Sequence, residues 1–357
     1  MQTKYSLFIF VLSGIIGLSS CGSGNPAEEA ELKEHRRYDV ILGPKIKDVF
    51  KPISASAPNS ENELTEAKTK LGYYLYHDNR LSKNNTQSCN TCHNLATFGV
   101  DRQPTSAGDL GQFGDRNSPT VLNAALHTTQ FWDGRAKDVE EQAGMPIMNP
   151  VEMNIPSEAF LVSRLKGIEL YQKMFAEAFP GEADPITYKN LRLAIAAFER
   201  KLLTPSRFDQ YLRGDSMALT VMEKKGMLTF IEVGCASCHY GPALGGNSIQ
   251  KFGVFHDYMA YTGSKKPDFG LFVQTGKEAD KNMFKVPSLR NVTETYPYFH
   301  DGSVKTIEEA IKIMSHTQLD AELSENEVTK IVAFLGALKA DISDTTFKYA
   351  PKELRSL

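Results

Sequence analysis

Basic residues are not in surplus: 40 Lys and Arg stand against 43 Asp and Glu, a formal net charge of −3 over 357 residues. Nucleic-acid binding relies on neutralising many phosphates, so that class of partner is excluded. Cysteine is scarce, with five in the chain, and tryptophan occurs once. Five thiols in a chain of this length do not make a disulfide-stapled mini-protein. No apolar run reaches the ~20 residues that a membrane-spanning helix needs. Strand-like alternation is sparse. A composition of 41% hydrophobic and 23% charged residues rules out disorder and is ample for two buried cores at this length.

Met1 to Ser20 reads as an export signal. A lysine at position 4 precedes the apolar run Leu7 to Leu18, and the small residues Ser19 and Ser20 follow before Cys21. A membrane anchor is the rival reading, and the run is too short for it. Leu18-Ser19-Ser20-Cys21 resembles a bacterial lipobox, in which the cysteine is acylated and becomes the mature N-terminus. From Gly22 to about Arg37 the chain is small, polar and charged, as a tether between a lipid and a folded body would be. The expectation is a lipoprotein signal peptide over 1–20, a tether over 21–50, and a soluble body anchored on the periplasmic side of a bacterial membrane. Gly22 supplies no acidic retention signal, which favours the outer membrane.

The other four cysteines form two copies of one motif, Cys89-Asn-Thr-Cys92-His93 and Cys235-Ala-Ser-Cys238-His239. In C-x-x-C-H, two thiols on one turn can add to the two vinyl groups of a haem, and the next imidazole reaches the iron axially. Three rival chemistries use the same cysteines. A zinc site would bring the pairs together, yet they lie in different halves of the chain rather than the usual ~15–20 residues apart. A thioredoxin-like pair would follow a Val/Ile-rich strand, and none precedes either motif. Plain disulfides would not need a histidine after both pairs. Two covalently bound haem c groups remain.

Helical periodicity surrounds the motifs. Leu64, Ala67, Leu71, Tyr74 and Leu75 recur at three- and four-residue spacing before the first, as do the apolar residues of Leu191 to Leu203 in the middle. Thr306-x-x-Glu309 and Ser324-x-x-Glu327 read as capping boxes opening helices over Ile307 to Ser315 and Glu325 to Leu338. Gly, Pro, Asn and Asp crowd 99–119 and 241–305, which predicts long loops over the haem faces.

From about Leu64 to Leu338 the sequence resembles the bacterial di-haem cytochrome c peroxidases. The stretches that carry this are CNTCHNLATFGVD, RNSPTVLNAALHTTQFWDGRAKDVEEQA, AIAAFERKLLTPSRFDQYLRGD, FKVPSLRNV and PYFHDGSVKTIEEAIKIM. The resemblance implies a mainly α fold of two cytochrome c-like haem domains with long loops, packed at a shared interface. A peroxidatic domain is expected over 51–205, an electron-transfer domain over 206–345 and a tail over 346–357. It implies hydrogen peroxide as substrate and a small cytochrome c or copper protein as electron donor. Oligomeric state is left open, a homodimer included.

By the same resemblance, Glu152 is the acid/base that moves a proton between the two peroxide oxygens, with Gln142 beside it as a hydrogen-bond donor. Trp132 would lie between the haems. Met259, Met283, His300, Met314 and His316 are all candidate sixth ligands of the second iron, and spacing does not choose among them. The family's pattern points to Met314, and a His/Met pair suits an electron acceptor. A calcium ion is implied between the domains, on the side chain of Asn117 and main-chain oxygens near Thr295 and Pro297. One departure stands out. Where many family members read T-S-x-G-H and block the first iron with that histidine, this chain reads Thr105-Ser106-Ala107-Gly108-Asp109. The first haem is therefore expected to be open without prior reduction. Two rivals remain: an electron carrier with no peroxide chemistry, and an oxidase that modifies aromatic residues of a partner, whose relatives carry tyrosine at the place of Met314.

Overall fold

The computed structural model describes residues 25–342. The expected signal peptide (1–20), the lipidation site Cys21 and the tail (346–357) lie outside the described residues. The chain is mainly helical. Its first half runs through α1 (Pro26–Ile46), α2 (Glu66–Tyr76), α3 (Cys89–Cys92), α4 (Val139–Gln142), α5 (Met145–Met148), α6 (Glu158–Lys166), α7 (Glu169–Ala178) and α8 (Tyr188–Glu199). The second runs through α9 (Arg207–Leu212), α10 (Val221–Val233), α11 (Met259–Thr262), α12 (Phe272–Thr275), α13 (Ile307–Leu319) and α14 (Glu325–Ala337). Strands β1 (Ile249–Lys251) and β2 (Met283–Lys285) pair antiparallel, with Gln250 opposite Phe284.

Local chemistry starts these helices where side chains can satisfy their free N–H groups. Thr65 caps α2 by accepting from the Lys68 N–H, Thr187 caps α8 from Asn190, and Thr306 caps α13 from Glu309. Ser324 and Glu327 close a reciprocal capping box on α14, as expected from sequence, whereas at α13 only the threonine half of the box forms.

Two cores result. One gathers apolar residues from Leu71 to Leu202, with Tyr76, Phe175 and Phe198 deep inside. The other gathers Phe208 to Leu338 together with Leu42 and Phe50. Full burial of a Leu or Phe side chain is worth ~1.5–3 kcal/mol, so packing rather than helix propensity holds these short helices. In the first core α2 lies on α8, and in the second α10 lies on α14.

The segment expected to be a tether is instead folded from Pro26 onward, as α1. Tyr38, Leu42, Ile46 and Phe50 recur every fourth residue and all join the second core. Charged neighbours between them hid this stripe from a reading by composition. Asp39 on α1 accepts from the fully buried Lys224 ammonium at 2.5 Å and from Tyr211 at 3.1 Å, which latches α1 onto α10 and α9. Among the described residues no helix is long and apolar enough to cross a membrane.

The halves are also latched together. Arg116 binds Asp133 at 2.7 Å and Asp268 of the second half at 2.6 Å. The buried Thr204 hydroxyl accepts from Asn123 at 2.7 Å and from Asn291 at 2.9 Å.

Candidate active site

Helix α3 is a single turn that aims Cys89 and Cys92 to one side and ends at His93. Thr91 holds the Ser88 N–H at 3.0 Å, and the Tyr76 hydroxyl donates to the His93 carbonyl at 2.6 Å. Burial holds the His93 ring below the usual imidazole pKa, against the pull of Asp101 and of the Pro119 and Gly99 carbonyls, so the ring is neutral and fit to ligate a metal. A large cavity opens over this turn. Cys89, Cys92, His93, Gln142, Glu152 and Trp132 all line it.

Glu152 is partly buried, and its carboxyl pKa is raised, first by desolvation; the Asn149 hydrogen bond and the Arg135 charge hold it back. Asn149 Nδ2 donates to Glu152 Oε1 at 2.7 Å. Arg135 is itself fixed by Asp133 at 2.9 and 3.0 Å and lies 3.5 Å over the Phe131 ring. Glu152 therefore has an orienting donor and a nearby cation, as a group that gains and loses a proton needs.

Asp109, which the resemblance sets where many family members have a blocking histidine, does not line the cavity. Its carboxylate accepts from the Asn84 N–H at 3.1 Å and from the Thr86 hydroxyl at 2.7 Å. Its own N–H donates to the Glu152 carbonyl at 2.7 Å. At Gly108 the two loops approach so closely that a Cβ would meet the Val151 carbonyl oxygen at 2.0 Å. The loop thus fastens the Glu152 backbone.

The second cavity is built differently. The αL residue Gly234 ends α10 and starts the turn that carries Cys235 and Cys238 to His239. His239 Nδ1 lies 3.1 Å from the Leu244 carbonyl, which leaves Nε2 for a metal, and burial drives its pKa down to about 4. Cys235, Cys238, His239 and Met314 of α13 line this cavity, among Phe230, Leu289, Tyr298 and Ile311. Of the other candidate sixth ligands, His300 also lines it, whereas Met259, Met283 and His316 do not. His316 is instead bound at 2.5 Å to Glu322.

Trp132 lines both cavities. Its Nε1 donates to the Asn117 carbonyl at 2.9 Å, which holds the ring, and its own carbonyl accepts from the Lys285 N–H at 2.8 Å, which ties its backbone to the second half. Asn117, Thr295 and Pro297 share the second cavity. The Asn117 amide nitrogen donates to the Gln103 carbonyl at 2.9 Å, which leaves its oxygen as the acceptor end.

None of the four motif cysteines forms a disulfide, and burial pushes the Cys92 thiol up to about 11 and that of Cys235 to about 12. Among the described residues no three His, Cys, Asp or Glu side chains converge on a metal position. One histidine beside one cysteine pair in each cavity, with the two pairs in separate cavities, fits covalent haem rather than a shared zinc site.

A family model described as di-haem cytochrome c peroxidase matches residues 66–217. The cytochrome c551 peroxidase of Nitrosomonas europaea is 44% identical over 303 residues, which covers 85% of this chain and 87% of that protein. The chain belongs to the di-haem cytochrome c peroxidase family. A second relative, the cytochrome c551 peroxidase of Pseudomonas aeruginosa, is 43% identical across 81% of this chain and 84% of its own. Among solved structures, a MauG-like protein associated with microbial copper homeostasis superposes with a TM-score of 0.75 at 29% identity, over 84% of this chain and 97% of that one.

Sequence reasoning missed several residues of this peroxidase site. Asn149 and Arg135 flank Glu152, and Glu199 lines the first cavity with its carboxyl pushed up to about 8 by burial and by Glu140. Asn149 stands three positions before Glu152, in reach of it on a tight turn, and that spacing was the available signal.

Proposed function

We propose that this chain reduces hydrogen peroxide to water at the cavity of Cys89, Cys92 and His93, drawing electrons through the cavity of Cys235, Cys238, His239 and Met314. The reading is carried by one observation: Glu152 shares a cavity with the first motif, and Trp132 forms part of the wall of both cavities. Two c-type haems are the family's cofactors, and here the two Cys pairs would hold them, with His93 and His239 as the ligating histidines. Bound haem supplies an iron that takes peroxide on one side and one that passes single electrons on the other.

The chain's own residues do the rest. Glu152 accepts a proton from one peroxide oxygen and returns it to the other, so that the O–O bond breaks and water leaves. Two electrons and two further protons yield the second water. Gln142 and Arg135 hold the oxygens and the carboxylate in place, and Asn149 aims Glu152. Met314 closes the second site to peroxide. Trp132 shortens the electron path between them. A calcium ion on Asn117, Thr295 and Pro297 would hold the halves together through neutral oxygen donors, with water completing its shell. A small cytochrome serves as donor, and the lipobox at Cys21 with the signal pattern supports anchoring on the periplasmic side.

The test is peroxide-dependent oxidation of a reduced small cytochrome c, begun from the fully ferric protein and repeated after half-reduction. Immediate turnover from the ferric state is expected, because Asp109 is tied to Asn84 and Thr86 and does not block the first site. Turnover only after half-reduction would mean that another residue blocks it, and silence in both states would remove the peroxidase reading.

A further inference from the structure

Buried cations in this protein are paired with carboxylates. Lys224 meets Asp39 at 2.5 Å, Arg290 meets Asp209 at 2.5 and 2.9 Å, and Arg200 meets Glu140 at 2.5 and 2.7 Å. A buried charge left unpaired is strongly destabilising, which accounts for the pattern. Lys285 breaks it. This residue ends β2, is 4% exposed, and forms no ion pair with any described residue, while burial alone drives its pKa down to about 8.

Lys285 lines the cavity of Cys235, Cys238, His239 and Met314. His127 stands on the same cavity wall. Its Nε2 is sealed from solvent and has no hydrogen-bond partner among the described residues. Burial, and after it the Lys285 charge, hold the His127 ring neutral, so the two groups lie close to one another. Gly246 packs against that ring so tightly that a Cβ would come within 2.2 Å of it, which fixes its orientation. This largely apolar cavity therefore presents an ammonium without an ion pair and an imidazole nitrogen without a hydrogen bond among the described residues.

An anion must complete such a site, and a haem carries two, its propionates. We propose that Lys285 and His127 seat a propionate of the haem attached at Cys235 and Cys238, with Lys285 as its counter-charge and His127 as a positioning residue. The proposal rests on the reading that this cavity holds a haem. It also assigns a purpose to the charge. A cation at the haem edge disfavours the ferric state and so raises the potential, which suits the iron that must accept electrons first. The Lys285 backbone N–H is held by the Trp132 carbonyl, which ties this lysine's strand to the residue common to both cavities.

The experiment is a spectroelectrochemical titration of purified Lys285→Met, with haem counted by pyridine haemochrome. The expected result is two haems per chain, an unchanged His/Met spectrum and a lower midpoint potential for this haem. A tenfold change in the ratio of oxidised to reduced protein, about 59 mV for a one-electron couple, is the scale expected. Lys285→Arg, which keeps the charge, should stay near the wild-type potential. Two haems with the wild-type potential in K285M would overturn the proposal and leave the haem site standing. One haem per chain in the wild-type protein would instead sink the reading beneath it. Should K285M lose its haem, His127→Phe reads the same seat, with a smaller fall expected, and an unmoved potential there overturns the proposal.

Discussion

In the first half α8 crosses α2 at Gly72, and in the second α14 crosses α10 at Gly226. A Cβ on Gly72 would meet the Ala194 carbonyl oxygen at 1.9 Å and the Phe198 Cβ at 2.9 Å. One on Gly226 would meet the Lys330 carbonyl oxygen at 1.8 Å and the Phe334 Cβ at 3.0 Å. In each half the phenylalanine follows the carbonyl residue by four positions, one turn further along the partner helix. The same helix crossing is thus built twice, each time supporting a C-x-x-C-H turn. The cavities above those turns then diverge. The first contains Glu152, Gln142, Arg135 and Glu199 and is finished at its rim by Lys266 and Asp268 of the other half. The second is walled largely by apolar residues and receives Met314. Helix packing is the shared part, and cavity lining decides which half does chemistry.

The most direct way to break this comparison is to remove the carboxylate proposed as the acid/base of the first cavity. Glu152→Gln keeps the shape and the Asn149 contact but cannot accept a proton. Turnover should fall by ~10²–10⁴-fold, with both haem spectra unchanged. Normal turnover in E152Q would take Glu152 out of the mechanism.

Next in size is the reverse operation, which makes the second cavity resemble the first. With Met314 as the proposed sixth ligand, Met314→Ala would leave the second iron without one. The expected outcome is loss of the His/Met spectrum, a lower potential at this haem and slow electron delivery, while the first haem keeps its spectrum. A retained His/Met spectrum would transfer the ligand role to His300 or another residue.

The shared part can be tested in both halves at once. Gly72→Ala and Gly226→Ala each gain about 1 kcal/mol of helix propensity. Each also places a methyl against a backbone carbonyl that has nowhere to go, and overpacking of this kind costs ~1–3 kcal/mol or more. Each variant should lose about 2 kcal/mol in denaturant unfolding, and by similar amounts. Destabilisation in one half alone would show that the two crossings are not equivalent.

How much of this was legible beforehand follows from which interactions are local. Thr306, Ser324 and the apolar periods around Leu71 and Leu191 act within one turn, and the helices they predict are present. The stripe Tyr38, Leu42, Ile46 and Phe50 is also local, but a charged composition outweighed it and α1 was read as a tether. Glu152 is one carboxylate among many acidic residues in sequence, and only the family motif singled it out. What gives it a distinct environment is the partner set of Asn149, Arg135 and the Asp109 loop, brought together by folding. Lys285 was unremarkable as a lysine in FKVPS. Its burial without a carboxylate is a property of the whole second cavity, invisible until the cavity has walls.

The smallest effect sharpens the first cavity's chemistry through its pH profile. In the proposed mechanism Glu152 works as the carboxylate, so activity would be lost as pH falls through its pKa. Desolvation raises that pKa above the ordinary glutamate value, and the acid limb of turnover should lie correspondingly higher. The Asn149 hydrogen bond, 2.7 Å long, stabilises the anion and lowers the pKa. Asn149→Ala removes that donor, so the pKa rises further and the acid limb shifts to higher pH, while the rate on the plateau changes little. A limb that stays in place in N149A would mean that a group other than Glu152 sets it, and the same titration on E152Q background activity would then show the limb unchanged as well.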